Sequence, residues 1–220
     1  MVFSTYSQKQ KDLLNSFRDT LVAIDEENAK KMAQEIIANN IDPRIAIKYS
    51  IAEASRILGE KFDRGEVFLP HLVIMGDLME EVSAILEKNI PSEQIEKKKV
   101  IVIATVQGDA HSVGKNLVAA MLKSSGFVVH DMGVDVPGEA IIQKAKEVKA
   151  DMIALSSLLT TTMPYQKEVI DDLVSMGVKE QFKVIIGGGP VTKQYAESIC
   201  ADGYGKDAME AVEEAKKLLF

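Results

Sequence analysis

The chain has 220 residues, 46% of them hydrophobic and 27% charged, the balance of a soluble globular protein of one or two domains. A formal net charge of −7 argues against a nucleic-acid surface, and no apolar run approaches the ~18 residues of a membrane helix. The single cysteine, Cys200, excludes an internal disulfide, and the opening MVFSTYSQKQ has no apolar secretory core, so a cytoplasmic protein is expected.

Residues 1–90 read as helices throughout. Leu13, Leu14, Phe17, Leu21 and Ile24 recur at helical spacing over 8–24. The stretch 25–40, DEENAKKMAQEIIANN, opens on acidic residues and closes on Asn, as a helix should. Asp42 followed by Pro43 predicts a capped third helix running towards Phe62, with Gly65 as its stop. A fourth helix is expected from Leu69–Pro70 to about Lys88. Four helices with short joints indicate an antiparallel bundle as a first domain, residues 1–90. Residues 91–98, polar and charged behind Pro91, read as a linker.

From Lys99 to the end, short β-branched runs alternate with helical stretches. Strands are predicted at 99–105, 127–132, 151–156, 182–187 and 201–205. Helices are predicted near 112–125, 138–149, 163–176, 191–199 and 206–219. Five strand–helix alternations imply a parallel sheet covered on both faces. The right-handed crossover rule favours a flavodoxin-like order, 2-1-3-4-5.

Open parallel sheets bind ligands outside the carboxyl ends of their strands. The loops there read VQGDAHSVG, GVDVPG, SLLTTTMP and GGGPV, dense in Asp, His, Ser, Thr and Gly. The first is not a nucleotide loop. Five residues separate Gly108 from Gly114 where the Walker pattern needs four, Asn116 stands where a hydroxyl should bind magnesium, and Asp109 would repel phosphate. His111 offers another chemistry. Asp109, two residues earlier, could accept the Nδ1 proton and leave Nε2 free for a metal. A zinc site needs three or four protein ligands, and His71 and His130 are the only other histidines. A metal held by one protein histidine must bring its other ligands with it, as a metal macrocycle does.

The order Asp109-Ala-His111-Ser112-Val113-Gly114, then Ser156-Ser-Leu158, then Gly187-Gly188, resembles the cobalamin-binding signature of methionine synthase and its relatives. The stretch 59–79, GEKFDRGEVFLPHLVIMGDLM, is similar to the turn and last helix of the helical cap domain in that family. With little beyond these two domains, the chain resembles the small corrinoid proteins of anaerobic methyltransferase systems, which serve methanol, methylamines, betaines or methoxylated aromatics. The resemblance implies an N-terminal four-helix cap and a flavodoxin-like, five-stranded cobalamin-binding domain.

It also implies roles. His111 would be the lower axial ligand of cobalt in a cobalamin or related corrinoid, with Ser112, Val113 and Gly114 beside it. Asp109 would orient His111, and Thr162 or a neighbouring threonine such as Thr160 would extend the relay. Ser156 and Leu158 would line a slot for the displaced nucleotide tail, and Gly187 and Gly188 would give it room; Gly189 reads as a turn before Pro190. Phe68, Leu69, Leu72, Met75 and Met79 are candidates to cover the upper cobalt face, though such an apolar stripe is also what a helical core needs.

The implied function is a methyl carrier. Cobalt(I) would accept a methyl group from a substrate-specific methyltransferase and pass it, as methylcobalamin, to an acceptor methyltransferase. A reductive activation protein is the third expected partner; nucleic acid and membrane are not. The linker would act as a hinge. The alternative implied by the same resemblance is a cobalamin-dependent regulator or sensor.

Overall fold

The computed structural model describes residues 6–91 and 97–220, so the expected linker at 91–98 lies mostly outside the described residues. The chain divides into two compact units, a helical one before Lys98 and an α/β one that holds most of the rest.

In the helical unit, α1 (Gln8–Val22) begins where two residues cap each other. Ser7 Oγ accepts from the Gln10 backbone N–H at 3.3 Å, and Gln10 Oε1 accepts from the Ser7 N–H at 3.0 Å. The carboxylate of Asp25 caps α2 (Glu26–Ala38), which carries Glu26 and Glu27 in its first turn, where the helix dipole favours negative charge. That helix stops at Asn40, whose φ of 53° is one that Asn tolerates. Asp42 caps α3 (Pro43–Ile45).

The predicted third helix is not regular. A π-helical segment, Ala46–Ile51, separates α3 from α4 (Ala52–Asp63), and the Ala52 N–H bonds to Ile47 O, five residues back. Buried apolar positions step by five from Ala46 to Ile51 before Ala54 and Leu58 resume helical spacing. Within the wide turn, the buried Ser50 hydroxyl donates to Leu14 O of α1 at 2.8 Å. Gly65, at φ 70°, ends α4 as expected: its N–H reaches Phe62 O and that of Glu66 reaches Lys61 O, both at 2.9 Å. The last helix, α5 (Leu69–Glu87), has a proline in its first turn. Helix α1 packs on α2, α4 and α5, and α2 packs on α5. No helix among the described residues is long and apolar enough to cross a membrane.

The α/β unit holds β1 (Val100–Thr105), β2 (Val128–Asp131), β3 (Met152–Ser156), β4 (Lys183–Gly187) and β5 (Gly203–Gly205). All are parallel, in the expected order β2-β1-β3-β4-β5. Its helices are α6 (Val113–Ser124), α7 (Gly138–Glu147), α8 (Met163–Ser175), α9 (Lys193–Ser198) and α10 (Ala208–Leu219).

Residues alternate between the two faces of the sheet. Val102, Ala104, Ile153, Leu155, Val184 and Ile186 join one buried cluster with Ile141 and Ala145 of α7 and Val169, Ile170 and Leu173 of α8. The alternate positions face the other way, and along them side chains shrink towards the carboxyl ends. β3 runs Met152, Ala154, Ser156, and β4 runs Ile185, Gly187. The strand ends are thereby left thin on that face.

An ion pair between a buried lysine and a solvent-facing aspartate ties the start of α6 to the end of β2. The Lys115 side chain is 1% exposed, and its Nζ lies 2.6 and 2.5 Å from the two carboxylate oxygens of Asp131 and 2.7 Å from Asn116 Oδ1. Asp131→Ala leaves the buried ammonium with Asn116 alone, and we expect a loss of about 2 kcal/mol in urea unfolding. Lys115→Met removes the charge together with its need for a partner and should cost less; equal losses would contradict this account.

Candidate functional site

The loop after β1 is held on every side. Thr105, fully buried, donates its hydroxyl to His111 O at 2.9 Å. The Gly108 N–H donates to Asp135 Oδ1 at 2.7 Å, and the Asp135 N–H donates to Asp109 O at 2.9 Å. Gly108 stands at φ 79°, a conformation that glycine adopts without strain.

Asp109 is the centre of the site. Its side chain is 0% exposed and both oxygens accept. Oδ1 takes the His111 backbone N–H at 3.0 Å and the His111 ring Nδ1 at 2.7 Å. Oδ2 takes the backbone N–H groups of Leu158 at 2.6 Å and Leu159 at 3.3 Å, and the Thr162 hydroxyl at 3.0 Å. Burial alone would push this carboxyl up. The N–H groups of His111 and Leu158, helped by the imidazole and the Thr162 hydroxyl, outweigh it and hold the pKa down at about 2. Asp109 is therefore ionised at neutral pH and can only accept.

That fixes the protons around it. The His111 Nδ1 carries the hydrogen, so the neutral ring has its lone pair on Nε2. The His111 side chain is 51% exposed, and no described residue takes Nε2. The Thr162 hydroxyl has two acceptors at 3.0 Å, Asp109 Oδ2 and Leu159 O; donating to the anion, the stronger acceptor, leaves its oxygen to accept from Ser157. Ser157 is fully buried, with Oγ 2.8 Å from Thr162 Oγ1. Among the threonines proposed for the relay, Thr162 is thus the one in contact with Asp109; Thr160 is exposed.

Beside this loop, on the thin face of the sheet, a slot of about 230 Å³ runs between α6 and α10. Ile103, Ala154, Ile185, Leu117, Ala208 and Ala211 make it apolar, Ser156 and Gly187–Gly189 border it at the strand ends, and Gly114 borders it three residues after His111. The small residues that thin the strand ends are what open it. Such a slot fits a flat aromatic base, and the imidazole beside it offers one nitrogen to a metal. No group of three or more His, Cys, Asp or Glu among the described residues could hold a metal ion, so a metal at His111 must carry its other ligands. The residues present fit a corrinoid on both counts.

The other predicted residues fall as follows. Val113 is 79% exposed and Leu158 47% exposed, both flanking the loop. Ser112 is half-buried, and a side chain at Gly114 would enter open space. Ser156 lines the slot but Leu158 does not; its contribution to the site is its backbone N–H. Gly187 and Gly188 have a reason to be glycine besides making room. A Cβ on Gly188 would sit 1.8 Å from Ser157 O, and one on Gly187 would sit 2.8 Å from Gly205 O. In the helical unit, Leu72, Met75 and Met79 are buried, Leu69 is half-buried, and Phe68 is 62% exposed.

Sequence reasoning missed Ser157, Asp135 and Thr105. Strand alternation could have found Ser157: with Ser156 facing the slot, its neighbour must face the opposite way.

Comparison with known proteins agrees with this geometry. Two family profiles, each described as a B12 binding domain, match residues 13–87 and 99–213. Dimethylamine corrinoid protein 2 of Methanosarcina acetivorans is 42% identical over 215 residues, covering 96% of this chain and 98% of that protein. Trimethylamine corrinoid protein 1 of the same organism is 36% identical, covering 96% and 99%. Among solved structures, a cobalamin-binding protein from Desulfitobacterium hafniense superposes with a TM-score of 0.73 at 31% identity, over 94% of this chain and 98% of that one. The methanol:cobalamin methyltransferase complex MtaBC from Methanosarcina barkeri gives 0.78 at 29% identity, over 97% and 81%.

The depressed Asp109 carboxyl makes a prediction for the cofactor-free protein. A group whose folded pKa lies below its ordinary value of 3.8 stabilises the fold above that value and loses the contribution as pH falls towards about 2. The contribution is about 2 kcal/mol. Urea unfolding of wild type and Asp109→Asn should therefore differ at neutral pH and converge by that amount on acidification. A constant gap across the acid range would contradict it.

Proposed function

This chain belongs to the B12-binding family of corrinoid proteins, and from that premise we propose that it is a methyl carrier between two methyltransferases. Its cofactor is a cobalamin or related corrinoid. The observation that carries the proposal is the Asp109-held imidazole with its Nε2 free, set at the edge of an apolar slot.

When bound, the corrinoid supplies a cobalt centre that takes up a methyl group and releases it again. The chain does the rest. His111 would present Nε2 to the metal as its one protein ligand. Asp109 would fix the ring's tautomer and direction, and the N–H groups of His111 and Leu158, with the Thr162 hydroxyl, would keep that carboxylate ionised. Ser156 and Gly187–Gly189 would border the nucleotide tail in its slot, with Ser112, Val113, Gly114 and Leu158 around its entrance. Phe68 is the exposed residue of the five expected to cover the other face, and it takes the first claim to that role over Leu69, Leu72, Met75 and Met79.

The methyl donor we favour is a methylamine, because relatives at 42% and 36% identity carry dimethylamine and trimethylamine names. A substrate-specific methyltransferase would load the carrier and an acceptor methyltransferase would unload it. A reductive activation protein would restore the low oxidation state after adventitious oxidation.

Anaerobic reconstitution with cobalamin tests the reading. The protein should retain a stoichiometric corrin spectrum, and its reduced form should change spectrum on adding methyl iodide. His111→Ala should still hold the corrinoid through the slot but show an altered axial-ligand spectrum. A spectrum identical to wild type would refute the ligand assignment. Loading from dimethylamine rather than methanol, each with its own methyltransferase, tests the donor class.

A further inference from the structure

Gln166 is fully buried in α8, on the face of the sheet away from the slot, and the relay does not use it. Its side-chain Nε2 donates to Leu155 O of β3 and to Gly187 O of β4, both at 3.0 Å. Its Oε1 is buried with no hydrogen-bond partner among the described residues. The two carbonyl acceptors settle the orientation of the amide, because a flipped group would aim its oxygen at both. A buried amide that leaves its own acceptor unpaired is held in place by its two donors.

The place it bridges is where two strands part. The β3–β4 ladder ends at the pairing of Ser156 with Gly187. Gly187 O also accepts the Ser157 N–H at 3.1 Å, so one carbonyl collects both the last rung and the Gln166 donor. Beyond it the clearance vanishes, since a Cβ on Gly188 would fall 1.8 Å from Ser157 O. Gly187 and Gly188 border the slot on one side. Ser157 leads directly into Leu158, whose N–H serves Asp109. A shift of the glycine wall therefore reaches the slot, while Asp109 keeps its His111 and Thr162 donors.

We propose that Gln166 is a positioning residue that holds the glycine wall of the slot in the register needed to grip the nucleotide tail of the corrinoid. This rests on the slot reading given above. Gln166 touches neither cofactor nor metal and acts through Gly187.

Paired binding measurements test it, using cobalamin and cobinamide, a corrinoid without the nucleotide tail. Wild type should bind cobalamin the more tightly of the two. Gln166→Met keeps the volume and loses both donors. It should weaken cobalamin binding by roughly tenfold while changing cobinamide binding by less than about twofold, the size expected when two carbonyls lose their donor. A role in general stability alone would lower the melting temperature and weaken both ligands in equal ratio, which overturns the proposal. If Gln166→Met fails to fold, Gln166→Asn, polar but too short to span both carbonyls, is held to the same ratio. Wild type binding both ligands equally would instead overturn the slot reading, and the Gln166 role with it.

Discussion

The site depends on one buried anion. Asp109 accepts hydrogen bonds from two loops that are about fifty residues apart in sequence, the one after β1 and the one after β3. A carboxylate withdrawn from water is unfavourable unless several donors converge on it. Here the donors are supplied mainly by backbone, which cannot rotate away as a side chain can. The anion thus acts as a joint. The ordering of the Leu158–Thr162 segment, the tautomer of His111 and the direction of the Thr162 hydroxyl all follow from keeping it satisfied.

The slot follows from a second constraint, the two-residue period of a strand. One face of the sheet keeps large residues to the strand ends, with Leu155 and Ile186 in the cluster under α7 and α8. The other face tapers through Ala154 and Ser156 on β3 and from Ile185 to Gly187 on β4. Ala208 and Ala211 continue that economy of volume on α10. An apolar opening next to a fixed imidazole is the result. The glycines at 187 and 188 are demanded by neighbouring backbone as much as by a ligand, so their presence alone is weaker testimony to a ligand than their spacing is.

Much of this was legible in the chain itself, and what was not has identifiable causes. The parallel order of the strands follows from alternation and handedness, and His111 and Asp109 stand out by spacing. The π-helical turn at Ala46–Ile51 hid because apolar residues still recur through it, one position late. Ser157 hid inside a motif as the residue between Ser156 and Leu158, and its partner Thr162 became certain only when the loop brought a hydroxyl within 3.0 Å of Asp109. The resemblance assigns Leu158 to the slot, yet what it contributes is an N–H to Asp109, which no side-chain pattern can reveal. Gln166 carries no motif at all. Residues that act through backbone groups leave no mark on side-chain patterns.

The same accounting shows that the histidine can move without its anchor. His111 is fixed through Nδ1 to Asp109, while its ring is half-exposed. If the ring swings away, Asp109 loses one donor of five and keeps the N–H groups of His111, Leu158 and Leu159 and the Thr162 hydroxyl. The anion stays solvated by the protein, and the loop stays pinned through Thr105 and Asp135. Motion of the His111 side chain therefore need not disturb the frame that aims it. A metal held at His111, as proposed, would keep this frame while its ligand moved; a site of three or four protein ligands could not provide that separation, since there the frame and the ligands are the same residues.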